Sequence, residues 1–353
     1  MTDFLSNYRT GIDELDRELG RLVASVDEAD QRFVFELAAS AFRLSHEDNN
    51  RGELKLVTNA VKELRYSFEV FRPYIGTRKC SIFGSARIAP GEPAYECARE
   101  VAEKIAARDW MIITGAGPGI MKAGNEGAGA DRSFGVNIML PFEASANEFV
   151  PEDKLINFKY FFTRKVMFMK ESDAYVLLPG GFGTMDETFE LLTLMQTGKT
   201  PVAPIVLLDP TGSNYWNHWL QFVETELGDA GLISPEDLAL VHVASSTDDA
   251  VDEICRFYTG YPSMRFVGDS LIVRLNRPVG DEELAALNAE FAPLVESGSI
   301  QRTEATAKER RDDDHLNLDR LSLRFDRHKW AMLRLLIDRL NGHPDTAALG
   351  SPS

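Results

Sequence analysis

Between residues 76 and 261, short and almost wholly apolar runs alternate with amphipathic stretches. The runs lie at residues 80–83, 111–114, 134–140, 174–178 and 202–208. The spacing predicts helices over 93–107, from Gly119 and from Thr163, the last after an extended piece around 158–162. A strand that is apolar on both sides must be covered on both faces, and the intervening helices supply that cover. The expected fold class is therefore α/β, a doubly wound parallel sheet whose ligands sit at the carboxyl ends of its strands.

The flanks follow other patterns. Residues 1–75 carry apolar side chains at three- and four-residue spacing, with a polar break over 46–52. They read as a helical N-terminal extension, a cap or half of a dimer interface. Residues 262–353 read as a small C-terminal α+β appendage. Strands are expected at 266–275 and at 318–325, the second with an exposed face, and helices at 282–296 and 330–340. The charged stretch 303–314 is expected to be a mobile loop, and the tail from Gly342 to be disordered.

Composition removes several classes of function. With 38 basic and 55 acidic side chains the net charge is −17, which repels a nucleic-acid backbone. Cys80, Cys97 and Cys255 form no CxxC pair, which points to a reducing cytoplasm. The first 20 residues lack the apolar core of a signal peptide. No run approaches the roughly 18 apolar residues of a membrane span. The six histidines are scattered, so neither a metal nor another cofactor is expected.

Three of the apolar runs end in small residues: Gly84-Ser85-Ala86-Arg87, Gly115-Ala116-Gly117-Pro118-Gly119 and Pro179-Gly180-Gly181-Phe182-Gly183-Thr184. Glycines after a strand let the backbone approach a ligand closely. The free N–H groups and dipole of the following helix then favour an anion such as phosphate. Ser85 and Thr184 add hydroxyl donors. A tight turn alone would explain Gly84 or Gly115, but the glycines at 180, 181 and 183 exceed what a turn requires. A dinucleotide fingerprint fails, because its third glycine falls on Ile120 and no acid ends a strand about 20 residues later. A nicotinamide-dependent oxidoreductase is disfavoured accordingly. A Walker loop fails for want of Lys-Ser or Lys-Thr.

The helix after the third cluster opens with Met185-Asp186-Glu187. In its first turn Glu187 would lie within reach of a sugar attached to the bound phosphate. Asp186 points about 100° away, and Glu190 lies one turn further along for a structural contact. Upstream, Arg164 and Lys165 oppose the dipole of their helix start, so an anionic ligand or Glu187 should balance them. Arg164 is the better ligand-facing cation because a guanidinium can clamp oxygens bidentately.

The string from Pro179 to Glu187 resembles the PGGxGTxxE signature of the LOG family. Arg164-Lys165 with Ser172-Asp173-Ala174, and the other two glycine turns, are similar to that family over about residues 78–260. The resemblance implies a Rossmann-like sheet and a homodimer or larger assembly with sites near the subunit interface. It implies cleavage of a nucleoside 5′-monophosphate, AMP or a cytokinin ribotide, to free base and ribose 5-phosphate. It carries Glu187 and Arg164 over as catalytic. Gly84, Ser85, Gly115, Gly117, Gly119, Lys165, Gly180, Gly181, Gly183 and Thr184 carry over as substrate- or phosphate-binding. The first turn departs from the commoner Gly-Ser-Ser form at Ala86-Arg87.

Such a hydrolysis builds positive charge on the ribose, which a fixed carboxylate can stabilise while activating water. Relatives often carry the label lysine decarboxylase, but nothing identifies Lys165 or Lys170 as a Schiff-base lysine for pyridoxal phosphate. The alternative is a non-catalytic protein that binds or carries a nucleotide, or a molybdenum-cofactor-type group as proteins of related fold do. Retention of both Arg164 and Glu187 favours catalysis.

Overall fold

The computed structural model describes residues 7–46, 50–140 and 146–342. Its contacts divide it into two compact units, residues 1–66 and 67–353. The first holds α1 (Asp13–Val23), α2 (Glu28–His46) and most of α3 (Arg51–Phe71). Leu19, Val23, Phe35 and Ala39 form its small core. Glu47, Asp48 and Asn49 of the expected polar break lie outside the described residues, as does the tail beyond Gly342.

The second unit contains two sheets. In chain order the first part runs β1 (Lys79–Phe83), α4 (Pro93–Ala106), β2 (Met111–Thr114), α5 (Ile120–Ala128), β3 (Ser133–Ile138), β4 (Leu155–Phe158), α6 (Phe161–Glu171), β5 (Ala174–Leu177), α7 (Phe182–Gln196), β6 (Ile205–Leu208), α8 (Tyr215–Phe222), β7 (Val241–Ala244) and α9 (Thr247–Phe257). The seven strands are parallel in the order β4-β3-β2-β1-β5-β6-β7. Every residue of β1, β2, β5 and β6 is buried, which is why these strands read as nearly continuous apolar runs. The chain winds outward from β1 in one direction, then returns to β5 beside β1 and winds the other way. The point of reversal therefore lies between β1 and β5, where open α/β sheets place their ligands.

The rest forms an antiparallel sheet, β10-β11-β9-β8. Its elements are β8 (Ser263–Val267), β9 (Ser270–Leu275), α10 (Asp281–Glu290), β10 (Val295–Arg302), α11 (Ala307–Asp312), β11 (Asp319–Phe325) and α12 (Trp330–Leu340). Its core is continuous with Val202, Phe257 and Tyr261 of the larger layer.

Several expectations need correction. The run 266–275 is no single strand. Gly268, with φ +61°, turns it into the hairpin β8–β9. The helix expected to Glu296 stops at Glu290, because Pro293 follows, and the chain continues as β10. The charged stretch 303–314 is not a plain loop. A Thr306–Glu309 capping box starts α11, and Glu309 is fully buried against Arg274 and Arg320. Strand β11 lies inside its sheet, with Leu321, Leu323 and Phe325 buried on one side and Arg320 buried on the other. Helix α6 begins at Phe161 rather than Thr163.

Candidate active site

The glycine loops after β1 and β5 meet at the point of reversal. The Ser85 N–H donates to the Pro179 carbonyl at 3.1 Å, and the Ile120 N–H, opening α5, donates to the Ser85 carbonyl at 3.0 Å. All three clusters therefore converge at one sheet edge. Gly119 has φ +67°, and a Cβ there would lie 2.3 Å from the Ser85 carbonyl oxygen. Its lack of a side chain is needed to seat α5 against the first turn, and Gly119 does not line the cavity. The second loop is braced from a distance. Asn147 donates through its N–H to the Ala116 carbonyl and through Nδ2 to the Gly117 carbonyl, and Thr114 Oγ1 accepts from the Ala116 N–H.

Above this junction lies a cavity of about 840 Å³. Gly84, Ser85, Gly115, Gly117, Gly180, Gly181, Gly183, Thr184, Arg164 and Glu187 all line it. Apolar side chains from Met121, Ile138, Leu140, Phe161 and Phe168 complete the wall.

The third loop is the most specialised. A Cβ on Gly180 would lie 2.0 Å from Thr184 Oγ1 and 3.0 Å from the Ser85 nitrogen, so no larger residue fits. The Tyr215 hydroxyl, from α8, donates to the Gly180 carbonyl at 2.6 Å and holds the turn from behind. Gly181 is the N-cap of α7 and supplies no side-chain cap. A Cβ on Gly181 or Gly183 would meet nothing within 4 Å. The protein's own packing does not require those two glycines. Their effect is to leave the first N–H groups of α7 uncovered towards the cavity, as an anion site needs.

Glu187 stands deeper than expected. Helix α7 starts inside the glycine loop, at Phe182, so Glu187 falls in the second turn rather than the first. Its side chain is only 5% exposed. Oε1 lies 3.8 Å from Arg164 Nη2 and Oε2 lies 4.0 Å from Lys165 Nζ, beyond hydrogen-bond length. Oε2 has no hydrogen-bond partner among the described residues. Burial drives the carboxyl pKa up to about 7. The Lys165 and Arg164 charges pull against that rise, and Glu190 and Asp186 add to it. Arg164 is held with its guanidinium carbon 5.4 Å from the Phe161 ring centre and 5.5 Å from that of Phe168.

Lys165 departs from its expected place. Its Nζ turns away from the cavity wall to pair with Asp186 at 2.8 Å and with Glu190. Three acids around one ammonium explain this: the field there favours a cation, not a phosphate. Burial pulls the Lys165 pKa down, but the hydrogen bonds to Asp186 and Glu190 and the Glu187 charge outweigh it, and the net shift is upward. A Schiff-base lysine must release its proton, so Lys165 does not fit pyridoxal phosphate. Lys170 is half exposed and paired with Glu171, which fits no better. Among the described residues no helix is long and apolar enough to cross a membrane.

Comparison with known proteins adds the lineage. Cytokinin riboside 5′-monophosphate phosphoribohydrolase of Mycobacterium tuberculosis is 33% identical over 164 residues, 44% of this chain and 82% of that protein. The chain belongs to the LOG family. The Mycobacterium marinum member is 31% identical over 170 residues, 46% of this chain and 87% of its own length. The profile of a family described as possible lysine decarboxylase matches residues 119–254. Among solved structures, the molybdenum cofactor binding protein of Rippkaea orientalis aligns over 52% of this chain and 98% of its own. The TM-score is 0.37 and the identity 19%. The matched profile runs from the start of α5 into α9, so β1, β2, the N-terminal helices and the antiparallel sheet lie outside it.

Proposed function

We propose that this chain hydrolyses the N-glycosidic bond of a nucleoside 5′-monophosphate, AMP or a cytokinin ribotide, to free base and ribose 5-phosphate. The observation that carries this reading is the placement of Glu187. A buried carboxyl with a pKa of about 7 stands beside Arg164 in the helix whose N-terminus forms the glycine loop. Phosphate bound at that loop directs the attached ribose along α7, towards Glu187.

The chemistry follows from these groups. As the bond between the anomeric carbon and the base nitrogen breaks, its electrons leave with the base, which takes up a proton. Positive charge collects on the anomeric carbon and ring oxygen. The Glu187 carboxylate stabilises that charge and accepts a proton from the attacking water. A base with a pKa near the working pH is both available and strong enough for the task. Arg164 keeps part of the Glu187 population ionised and has guanidinium donors for sugar or phosphate oxygens. Phosphate binding at residues 180–184 supplies remote binding energy that orients the sugar. The apolar wall from Met121 to Phe168 suits a flat base.

The test is incubation with AMP and with isopentenyladenosine monophosphate, assaying free base and ribose 5-phosphate. Release of the two in equal amounts supports the reading. Tight binding with no release from any nucleoside monophosphate refutes it and leaves a carrier.

A further inference from the structure

We propose that Arg87 is the cation that closes on the 5′-phosphate of the ligand. This rests on the reading above for the identity of that ligand.

A nucleotide phosphate brings a charge of about −1.5 to −2 at neutral pH. It approaches a chain whose net charge is −17, so the long-range field works against binding unless cations gather locally. Among the described residues only two cations line the cavity, Arg87 and Arg164. Arg164 already faces the Glu187 carboxylate at 3.8 Å. Lys165 is held among Asp186, Glu187 and Glu190. The glycine loop offers N–H groups and a helix dipole but no formal charge.

Arg87 has what is missing. Its residue is exposed, and among the described residues its guanidinium makes no ion pair or hydrogen bond, in a chain with 55 acids to choose from. Its root, in contrast, is fixed. The Arg87 N–H donates to Ser85 Oγ at 3.1 Å, and the Ser85 N–H donates to the Pro179 carbonyl beside the phosphate loop. A rigid root next to the anion site with a free planar fork at its tip suits bidentate capture of phosphate.

The experiment compares wild type, Arg87→Ala and Arg87→Lys, with AMP and adenosine as substrates at two ionic strengths. Calorimetric titration with AMP and with inorganic phosphate runs in parallel. Arg87→Ala should raise KM for AMP roughly ten- to hundredfold, the range of a hydrogen bond to a charged group, with kcat affected far less. Arg87→Lys should recover part of the loss. The penalty should be larger for AMP than for adenosine, and the AMP KM of the alanine variant should respond less to salt. An unchanged KM, or a loss of kcat at constant KM, overturns the proposal even if wild type is an active hydrolase. If wild type cleaves nothing, the titrations decide. Weaker AMP and phosphate binding by Arg87→Ala upholds the assignment while the hydrolase reading falls, and equal or undetectable binding overturns it.

Discussion

Replacing Glu187 by glutamine should cut turnover by about 10²- to 10⁴-fold and at the same time make the protein more stable at alkaline pH. The magnitude follows from the carboxyl's surroundings. Burial raises its pKa from 4.5 to about 7. Each unit corresponds to about 1.4 kcal/mol, so holding the ionised form in place costs roughly 3 kcal/mol of folding free energy above neutrality. The sign is fixed by proton counts. Between the two pKa values the native state retains a proton that the unfolded chain has released, so this contribution to stability falls as pH rises through that window. Glutamine has the same shape and no charge at any pH. The variant should match wild type near the lower pKa, gain steadily, and reach a plateau of roughly 3 kcal/mol above the upper one, a shift of several degrees in Tm. Thermal unfolding of both proteins across this pH range, alongside AMP turnover, measures it. A gain that does not vary with pH, or a glutamine variant less stable than wild type at alkaline pH, would refute the account of Glu187 as a carboxylate strained by burial.

Further outcomes follow from the same geometry. In wild type, kcat/KM should climb with pH and level off above about 7, because the ionised Glu187 is the active form. Lys165→Met removes a charge that lowers the Glu187 pKa, so the rising limb should move to higher pH while its plateau persists. Arg164→Ala should keep the fold and lose at least about a hundredfold in kcat, read by steady-state kinetics with a circular dichroism control. Gly180→Ala should destabilise by about 1–3 kcal/mol in denaturant unfolding, since its Cβ would meet Thr184 Oγ1 at 2.0 Å. Gly181→Ala meets nothing within 4 Å, so its unfolding midpoint should stay put while KM for AMP rises.

The central sheet was legible because strands buried on both faces leave nearly continuous apolar runs, and each of the five runs overlaps a strand of that sheet. Strand β7 leaves no apolar run because it lies at the sheet edge, where three of its four residues, Val241, His242 and Val243, are only partly buried. The hairpin β8–β9 was hidden inside one apolar run with a Gly-Asp turn. Helix α11 reads as a solvated loop because its acids find partners elsewhere in the fold: Glu309 is buried against Arg274 and Arg320, which come from two different strands. High charge density signals solvation only when no partners lie across the fold. In the site, the loop and Glu187 are contiguous in sequence and could be read together. Tyr215 and Asn147, which hold two of the loops, arrive from distant segments and carry no local signature. The sequence signal for Tyr215 is its place at the start of the helix one strand beyond the signature. The diversion of Lys165 to Asp186 and Glu190 depends on α6 lying against α7, which spacing alone does not give.

The proposal that one carboxyl turns a phosphate-binding cavity into a hydrolase is tested most directly by separating binding from cleavage. AMP affinity of wild type and Glu187→Gln is measured by calorimetry, and adenine release by both is followed under the same conditions. The account predicts comparable binding, release by wild type, and a loss of about 10²- to 10⁴-fold in the variant. Equal release by the two proteins, or binding without release by wild type, would contradict it.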